Sequence, residues 1–312
     1  SQRRGGRGKV GMQTKEEDFV EKIFITSTHH YILIFTTTGR VYWLKVYQIP
    51  QAGRAARGKA IINLINLLPE ERVASILPVR EFSEEKSIVL VTKRGIIKKT
   101  SLAAYANPRS SGIIAMSVDD GDALIDVQMT NNQQDVFLGT KKGKAIRFHA
   151  GDVRDMGRTA RGVTGIRMDD DDCVVGVEIL SEGNAILTVS ENGYGKRALV
   201  EEYPLHHRGG KGTINLKISA KTGLVSGVCQ VTGEEDVVLI SDSGKIIRLR
   251  VDEISLFHRA AQGVKLIGLS EEEHIVSMAR TERDTNVETD AVENLEEEEE
   301  EDILADRGTP EE

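Results

Sequence analysis

The sequence predicts an all-β protein of the propeller type, with one four-stranded unit in roughly every 50 residues. Three observations support this fold class. Glycines that close basic or turn-rich clusters recur at a nearly constant interval, glycine-centred hairpins keep step with them, and no long stretch shows helical periodicity. The composition agrees, because 30 glycines and 4% aromatic residues are typical of a turn-rich β protein.

The first series consists of six clusters that end in glycine, and we call the seven residues ending at each such glycine a box. The box glycines are separated by 50, 54, 50, 50 and 51 residues. The most complete box, QRRGGRG, consists of Gln2, Arg3, Arg4, Gly5, Gly6, Arg7 and Gly8. The later boxes end at Gly58, Gly112, Gly162, Gly212 and Gly263. Most later boxes carry cations four positions and one position before the glycine, which predicts a shared polyanionic ligand. These cations are Arg54, Arg57, Arg158, Arg161, Arg208, Lys211 and Arg259.

The second series consists of five apolar segments around turn glycines, a pattern typical of β-hairpins. Each turn glycine precedes the next box glycine by 17 or 19 residues, and the five are Gly39, Gly95, Gly143, Gly193 and Gly244. First arms such as 32–35 and 237–240 are apolar at successive positions, which predicts strands buried on both faces.

Two more strand-like runs in each interval complete four strands per unit. One run follows the box, as in VTGIRM, and the other follows a polar turn, as in VVGVEIL. Six boxes stand against five hairpins, and the missing hairpin would lie before Ser1. We therefore expect the chain to be a piece of a longer polypeptide, whose first unit keeps only its box and the run FVEKIFIT.

The net charge of −8 conceals two parts of opposite sign. Residues 282–312 carry 15 acidic and 2 basic side chains, whereas residues 1–281 carry 34 acidic and 39 basic ones. We therefore predict a basic repeat domain over 1–281 and a disordered acidic tail over 282–312, as in a polyanion binder that carries a competitor. No signal peptide or membrane-length apolar run is visible, so we expect a cytoplasmic protein in which Cys173 and Cys229 stay reduced.

The motifs resemble one protein family. QRRGGRG is similar to the box of the C-terminal domain of bacterial DNA gyrase A, usually QRRGGKG, with Arg7 in place of the usual lysine. The segments KEEDFVEKIFITST and GYGKR and the glutamate-rich end also resemble that domain, so the similarity covers essentially the whole chain. The related domain of topoisomerase IV has a degraded box and stays the alternative within this group.

This resemblance implies a six-bladed β-pinwheel, a relative of the propeller in which neighbouring blades exchange strands. It also implies that double-stranded DNA wraps around the rim, largely without sequence preference, and that the wrap lets an A2B2 holoenzyme introduce negative supercoils. The partners would be the remainder of gyrase A and the gyrase B protein. ATP and Mg²⁺ would be used elsewhere in the holoenzyme, so the resemblance implies no cofactor, metal or catalytic residue in this chain and a nucleoid-associated location.

The residue types fit this implication. Arginine forks match phosphate oxygens, and box glycines let the backbone approach a phosphate. DNA that follows a rim must bend, at a cost of about 1–6 kcal/mol for a 20–30 bp site turned through 40–90°. The hairpins are predicted to add a second ring of cations to this rim. These are Arg40, Lys45, Lys93, Arg94, Lys98, Lys99, Lys141, Lys142, Lys144, Arg147, Lys196, Arg197, Lys245, Arg248 and Arg250.

Other interpretations of the motifs are weaker. A propeller that serves as a scaffold for other proteins is the competing hypothesis, although the GH and WD signatures of one such family are absent. The GxGxxG of residues 6–11 lacks the flanking strand and helix of a dinucleotide site, and 208–213 lacks the spacing of a nucleotide phosphate loop. The aspartates in 119–122 and 169–172 match no EF-hand and are predicted to be solvated turns. Trp43 is predicted to lie in the core.

Overall fold

The computed structural model describes residues 9–10, 27–50, 64–181, 184–270 and 272–283, and all structural statements below concern these residues. Their regular structure consists of β-strands and five 3-10 helices of three or four residues, which confirms the all-β prediction for this part of the chain. The helices are Val46–Gln48, Leu102–Tyr105, Ala150–Asp152, Val200–Glu202 and Val251–Glu253.

Several predicted features lie outside the described residues. They are the first box from Gln2 to Gly8, the cations Arg54 and Arg57, the run FVEKIFIT, and the acidic tail beyond Arg283. The predictions made for them stay predictions.

All five predicted hairpins are present as antiparallel strand pairs. They are β2 Tyr31–Thr36 with β3 Arg40–Lys45, β5 Ser87–Thr92 with β6 Ile96–Ser101, β9 Asp135–Thr140 with β10 Lys144–His149, β13 Ala185–Ser190 with β14 Tyr194–Leu199, and β17 Glu235–Ser241 with β18 Lys245–Arg250. The five turn glycines have φ between +76° and +82°. Glycine is favoured there because other residues rarely adopt this left-handed region.

A third strand pairs with the first arm of each hairpin, as the second strand-like run predicted. These third strands are β4 Val73–Val79, β8 Leu124–Thr130, β12 Val174–Leu180, β16 Val225–Val231 and β20 Ile275–Glu282. Strands β4, β8, β12 and β16 contact one another in succession. We call this side of the sheets the inner edge.

The fourth strand of each sheet comes from the next unit and has only two residues. Four of these strands follow a box and pair with the second arm of the preceding hairpin, and the fifth, which follows the first box, pairs with the second arm of the last hairpin. They are β1 Lys9–Val10, β7 Ile113–Ile114, β11 Val163–Thr164, β15 Thr213–Ile214 and β19 Val264–Lys265. They form the outer edge, opposite the inner one. Neighbouring sheets therefore exchange strands, as the resemblance implied.

The described residues form five four-stranded sheets, which corrects the six blades that the resemblance implied. The sheet orders are β4-β2-β3-β7, β8-β5-β6-β11, β12-β9-β10-β15, β16-β13-β14-β19 and β20-β17-β18-β1. Each sheet is built on a hairpin, and the described chain has five. The strand after the first box adds no sixth sheet, because Lys9 and Val10 pair with Ile246 and Lys245 of the last hairpin.

The core lies between successive sheets rather than at one centre. Alternate residues of a hairpin's first arm point to opposite neighbours, so that Ile88 and Leu90 pack with the first sheet and Val89 and Val91 with the third. All four are completely buried. This sandwich confirms the prediction that the first arms are buried on both faces.

Candidate nucleic-acid interface

The four described box loops, which end at Gly112, Gly162, Gly212 and Gly263, lie along the outer edge, where each leads into a two-residue strand of the preceding sheet. The glycine is needed there for close packing. Gly212 has φ +68°, and a Cβ at this position would stand 2.4 Å from the carbonyl oxygen of Ala145 in the preceding hairpin. Gly162 and Gly263 approach Ile97 and Gly195 in the same way. In these boxes the glycine therefore allows the loop to pack closely against the hairpin. The prediction that box glycines let the backbone approach a phosphate concerned the first box.

The two glycine series meet directly. The residue three positions after each described box glycine donates its backbone N–H to the carbonyl of a turn glycine at 2.7–2.8 Å. The donors Ala115, Gly165, Asn215 and Leu266 bond to the acceptors Gly39, Gly95, Gly143 and Gly193. This bond fixes each box loop to the tip of the hairpin before it, and it explains why the two series keep step.

Successive box loops are hydrogen-bonded to one another and form one row. The N–H of the residue five positions after a box glycine donates to the carbonyl two positions before the next one. The bonds are Ser117 to Ala160 at 3.2 Å, Arg167 to Gly210 at 2.9 Å, and Lys217 to Ala261 at 3.4 Å. The loops of four successive boxes thus follow the outer edge side by side. We call them the box row.

The arginines four positions before the box glycine mostly connect neighbouring loops. Arg208 donates to the carbonyls of Asp152 at 3.0 Å and Thr164 at 3.2 Å, and Arg259 donates to the carbonyl of Ile214 at 2.7 Å. Thr164 and Ile214 belong to the outer strand that follows the preceding box. The two arginines, which were predicted to bind a polyanion, therefore hold the box row together.

Other cations of the outer edge are exposed. Arg161 and Lys211, both predicted, are exposed, as are Lys93 and Arg94 at a hairpin tip. Four further exposed cations along these loops were not predicted from the sequence, and they are Arg109, Arg167, Lys217 and Lys265. Only Arg167 and Lys217 share an offset, five residues after the box glycine, and this repetition is the one sequence signal that could have found them.

Three predicted rim cations are buried, which corrects their assignment to the DNA-facing surface. Lys98 and Lys196 are 0% exposed and Lys99 is 4% exposed. The Lys98 ammonium donates to the carbonyls of Ala115, Gly157 and Arg158. It thereby fixes the backbone of the box that ends at Gly162. The reason is strand position, because these side chains face the next unit rather than solvent.

In four of the five hairpins, the residue four positions after the turn glycine clamps the following unit. Its side chain donates to a carbonyl at the 3-10 helix of that unit. Lys99 bonds to Ala150 at 3.3 Å, Arg147 to Val200 at 3.1 Å, and Arg197 to Ile254 at 2.6 Å. The first unit has Trp43 here, whose Nε1 donates to the Tyr105 carbonyl at 2.9 Å, and this tryptophan is partly buried against the core that it was predicted to join. The clamp corrects the rim assignment of Arg147 and Arg197.

Most remaining hairpin cations are paired with acids or enclosed by other groups. Arg40 lies 3.4 Å from Glu71 and donates to the Ser111 carbonyl at 2.6 Å. The other acid pairs are Lys142 with Asp171, Lys144 with Asp169, Lys245 with Glu273, Arg248 with Asp236, and Arg250 with Asp252. Lys45 is exposed and its ammonium lies 5.5 and 5.6 Å from the ring centres of Tyr31 and Tyr47. Lys141 is partly buried.

The two aspartate-rich segments are turns, as predicted, but they are not simply solvated. Asp122 accepts the backbone N–H of Arg94 at 3.0 Å, and Asp172 accepts that of Lys142 at 2.9 Å. The hydrogen-bonded Arg161 guanidinium lowers the pKa of Asp119 below its usual value. The described residues contain no group of His, Cys, Asp and Glu that would hold a metal ion.

Two further surface properties bear on function. An apolar groove lies beside the last described box and is lined by Leu199, Glu202, Leu256, Phe257 and His258. The scaffold hypothesis would place a protein in such a groove, and it stays untested. No helix in the described part of the chain is long and apolar enough to span a membrane.

One protein family matches the chain, by the description "DNA gyrase C-terminal domain, beta-propeller". It matches residues 1–27, 30–80, 86–131, 134–181, 184–228 and 235–282. The first stretch holds a box without a hairpin and each of the others holds a hairpin, in agreement with the six boxes and five hairpins of the sequence.

Among similar proteins, the DNA gyrase A protein of Salmonella typhimurium is 46% identical over 280 residues, and that of Clostridium acetobutylicum is 48% identical over 284. These alignments cover 90% and 91% of this chain but only 32% and 34% of the relatives. The chain thus spans about a third of their length.

Two solved structures have similar folds. The structure titled "Structure of DNA gyrase A C-terminal domain" matches with a TM-score of 0.77 and 26% identity, covering 89% of this chain and 92% of the other. The C-terminal domain of DNA topoisomerase IV matches with a TM-score of 0.74 and 24% identity, covering 82% and 80%. The second likeness concerns the fold alone.

Proposed function

The chain belongs to the DNA gyrase C-terminal domain, beta-propeller family, and on this premise we propose that it binds duplex DNA along the box row and bends it around the outer edge. The contacts are made to phosphates, and therefore carry little sequence information. In the whole enzyme, which also contains the remainder of gyrase A and the gyrase B protein, the bent DNA would be a step in negative supercoiling. ATP and Mg²⁺ act elsewhere in that enzyme, which is bacterial, cytoplasmic and nucleoid-associated. The proposal gives this chain no role in cutting DNA.

One observation carries the proposal: hydrogen bonds join successive box loops into a single row on the outer edge, and exposed cations recur along it. The loops are held by backbone bonds and by Arg208 and Arg259, so the backbone that carries the exposed cations is fixed in the absence of DNA. Each neutralised phosphate releases counterions, and many such contacts are needed to offset the bending of the duplex.

A ligation experiment tests this proposal. Nicked circular DNA is ligated in the presence of the protein, and the linking number of the purified circles is measured. We expect a change of fixed sign that grows with protein concentration, because a duplex wrapped in one sense stores writhe. Binding should also weaken steeply with salt, with log K linear in log[salt]. An unchanged linking number together with salt-independent binding would refute the proposal.

We propose that the first box sets the geometry of the wrap rather than its affinity. It is the only box in the chain that combines three arginines and three glycines in seven residues. Replacing Arg3, Arg4 and Arg7 by alanine should leave DNA binding measurable and abolish the change in linking number. A variant that shifts the linking number as the parent does would show that the box has no such role.

A further inference from the structure

The acidic turns hold cations of the outer edge in exposed ion pairs. Asp119 lies in the turn that leads from β7 to β8, and Arg161 is the residue before the glycine of the next box. The Arg161 Nε lies 2.7 Å from both carboxylate oxygens of Asp119. The side chains are 53% and 40% exposed, so that solvent and a DNA strand can both reach the pair.

The next unit repeats this arrangement with other residues. Lys142 forms an ion pair with Asp171, and Lys144 lies 3.9 Å from Asp169. Both aspartates belong to the turn that leads from β11 to β12. These carboxylates are held near the hairpin tip, because Asp172 of the same turn accepts the Lys142 backbone N–H at 2.9 Å.

The fourth unit lacks the acids, and the pairing changes with them. Its turn begins at Ser219 and contains no carboxylate, and the matching box residue is the neutral Gln262, whose amide donates to Ser219. Lys217, which precedes this turn, makes no side-chain ion pair with the residues that the structure describes, and neither does Lys211, whose counterpart Asp169 lies near Lys144 instead. The outer edge therefore contains cations with an acidic partner and cations without one.

We propose that Asp119 and Asp171 act as internal phosphate substitutes, which DNA phosphates must replace before Arg161 and Lys142 can bind the duplex. This inference rests on the proposed DNA binding. Bidentate carboxylate and phosphate oxygens satisfy a guanidinium fork in the same way, so the two anions compete for one site. The acidic turns thereby limit the affinity of one part of the row for DNA. Lys211 and Lys217 can bind a phosphate without first losing a carboxylate partner.

The competition has a distinctive salt signature. When phosphate replaces a carboxylate, the counterion release from DNA is partly offset by the salt cations that screen the freed carboxylate. The contact of Arg161 then adds less to the salt slope than that of a cation without an acidic partner. Without the carboxylate, the same contact should add about 0.9 to that slope.

The test compares Asp119→Asn with Asp120→Asn on the whole chain, using a short duplex. Both variants remove one negative charge from the same turn, but the side chain of Asp120 has no hydrogen bond or ion pair in the described residues. We expect Asp119→Asn to tighten binding about 1.5- to 5-fold at low salt, the range of an exposed ion pair, and to steepen the salt slope. Asp120→Asn should change affinity less and leave the slope unaltered.

A double-mutant cycle completes the test. In the background of Arg161→Ala, Asp119→Asn should tighten binding no more than Asp120→Asn does. Asp171→Asn with Asp170→Asn as its control repeats the comparison in the next unit, should Asp119→Asn fail to fold. Equal effects of Asp119→Asn and Asp120→Asn, or weaker binding by Asp119→Asn, would overturn the inference. A wild-type chain that does not bind DNA would instead refute the proposed function itself.

Discussion

The second arms of the hairpins and the loops of the box row both carry lysine or arginine in most units, but these cations contact different groups. In the hairpins, Lys98 is buried and Arg197 clamps the next unit through backbone carbonyls. In the loops, Lys211 and Lys217 point to solvent. Basic composition alone therefore does not locate a DNA-binding surface. What decides the role is whether carbonyls of the next unit lie within reach of the side chain.

The hairpins contain a second comparison, between two buried lysines at the same position. Lys98 and Lys196 each stand three residues after a turn glycine, and both are completely buried. Lys98 has three carbonyl acceptors, whereas the Lys196 ammonium has no hydrogen-bond partner in the described residues. Burial lowers the pKa of Lys98 from 10.5 to about 7 and that of Lys196 to about 8.

The contact between loop and hairpin offers the largest expected effect. Gly212→Ala should lower the free energy of unfolding by about 2–4 kcal/mol, because the residue has positive φ and its Cβ would collide with the Ala145 carbonyl. Urea unfolding measures the change. Gly157→Ala is the matched control in another box, since a Cβ there meets nothing within 4 Å. Similar losses in the two variants would contradict this account of the box glycines.

Methionine substitutions should separate the two buried lysines. Lys98→Met leaves three carbonyls without their donor, so we expect a loss of about 1–3 kcal/mol in the free energy of unfolding. Lys196→Met removes a buried ammonium that lacks an acceptor, so we expect no loss or a gain of about 1 kcal/mol at pH 7. Thermal and urea unfolding measure both. An equal loss of unfolding free energy in both variants would show that the carbonyl acceptors of Lys98 do not make its site more stabilising than that of Lys196.

The pH dependence of stability sharpens the same comparison. The pKa of Lys98 is about 7 in the folded chain and near 10.5 in the unfolded one, so the unfolded state binds more protons between these values. The free energy of unfolding of the wild type should therefore rise relative to Lys98→Met as the pH increases from 7 to 10. Urea unfolding at several pH values provides the measurement. A constant difference would mean that the three carbonyls keep the ammonium charged throughout.

The smallest expected effect is on the salt dependence of DNA binding. Lys211→Ala and Lys217→Ala should each lower the slope of log K against log[salt] by about 0.9, because under the proposed function each would remove one phosphate contact. Lys99→Ala should leave the slope unchanged, since its ammonium is buried against the Ala150 carbonyl. Fluorescence anisotropy with a labelled duplex gives the slopes. A reduced slope for Lys99→Ala would show that this hairpin residue contacts DNA after all.

The sequence by itself determined the repeat unit and its strands. Local signals suffice for these elements, because a hairpin needs only β-branched arms around a glycine of positive φ, such as Gly143. Continuous apolar runs such as Ile88–Val91 also predicted sheets buried on both faces, which the sandwich of neighbouring sheets confirms. The box spacing located the outer loops and two of their exposed cations, Arg161 and Lys211.

Only the tertiary structure decided which unit each short strand joins and which cations are available to a ligand. The strand after the first box pairs with the last hairpin, at the other end of the described chain, and no local pattern encodes that choice. Lys98 and Lys211 have the same charge in sequence, but one is surrounded by carbonyls of other units and the other by solvent. Such surroundings arise from residues distant in the chain, and burial then determines whether a charge holds the fold together or faces a ligand.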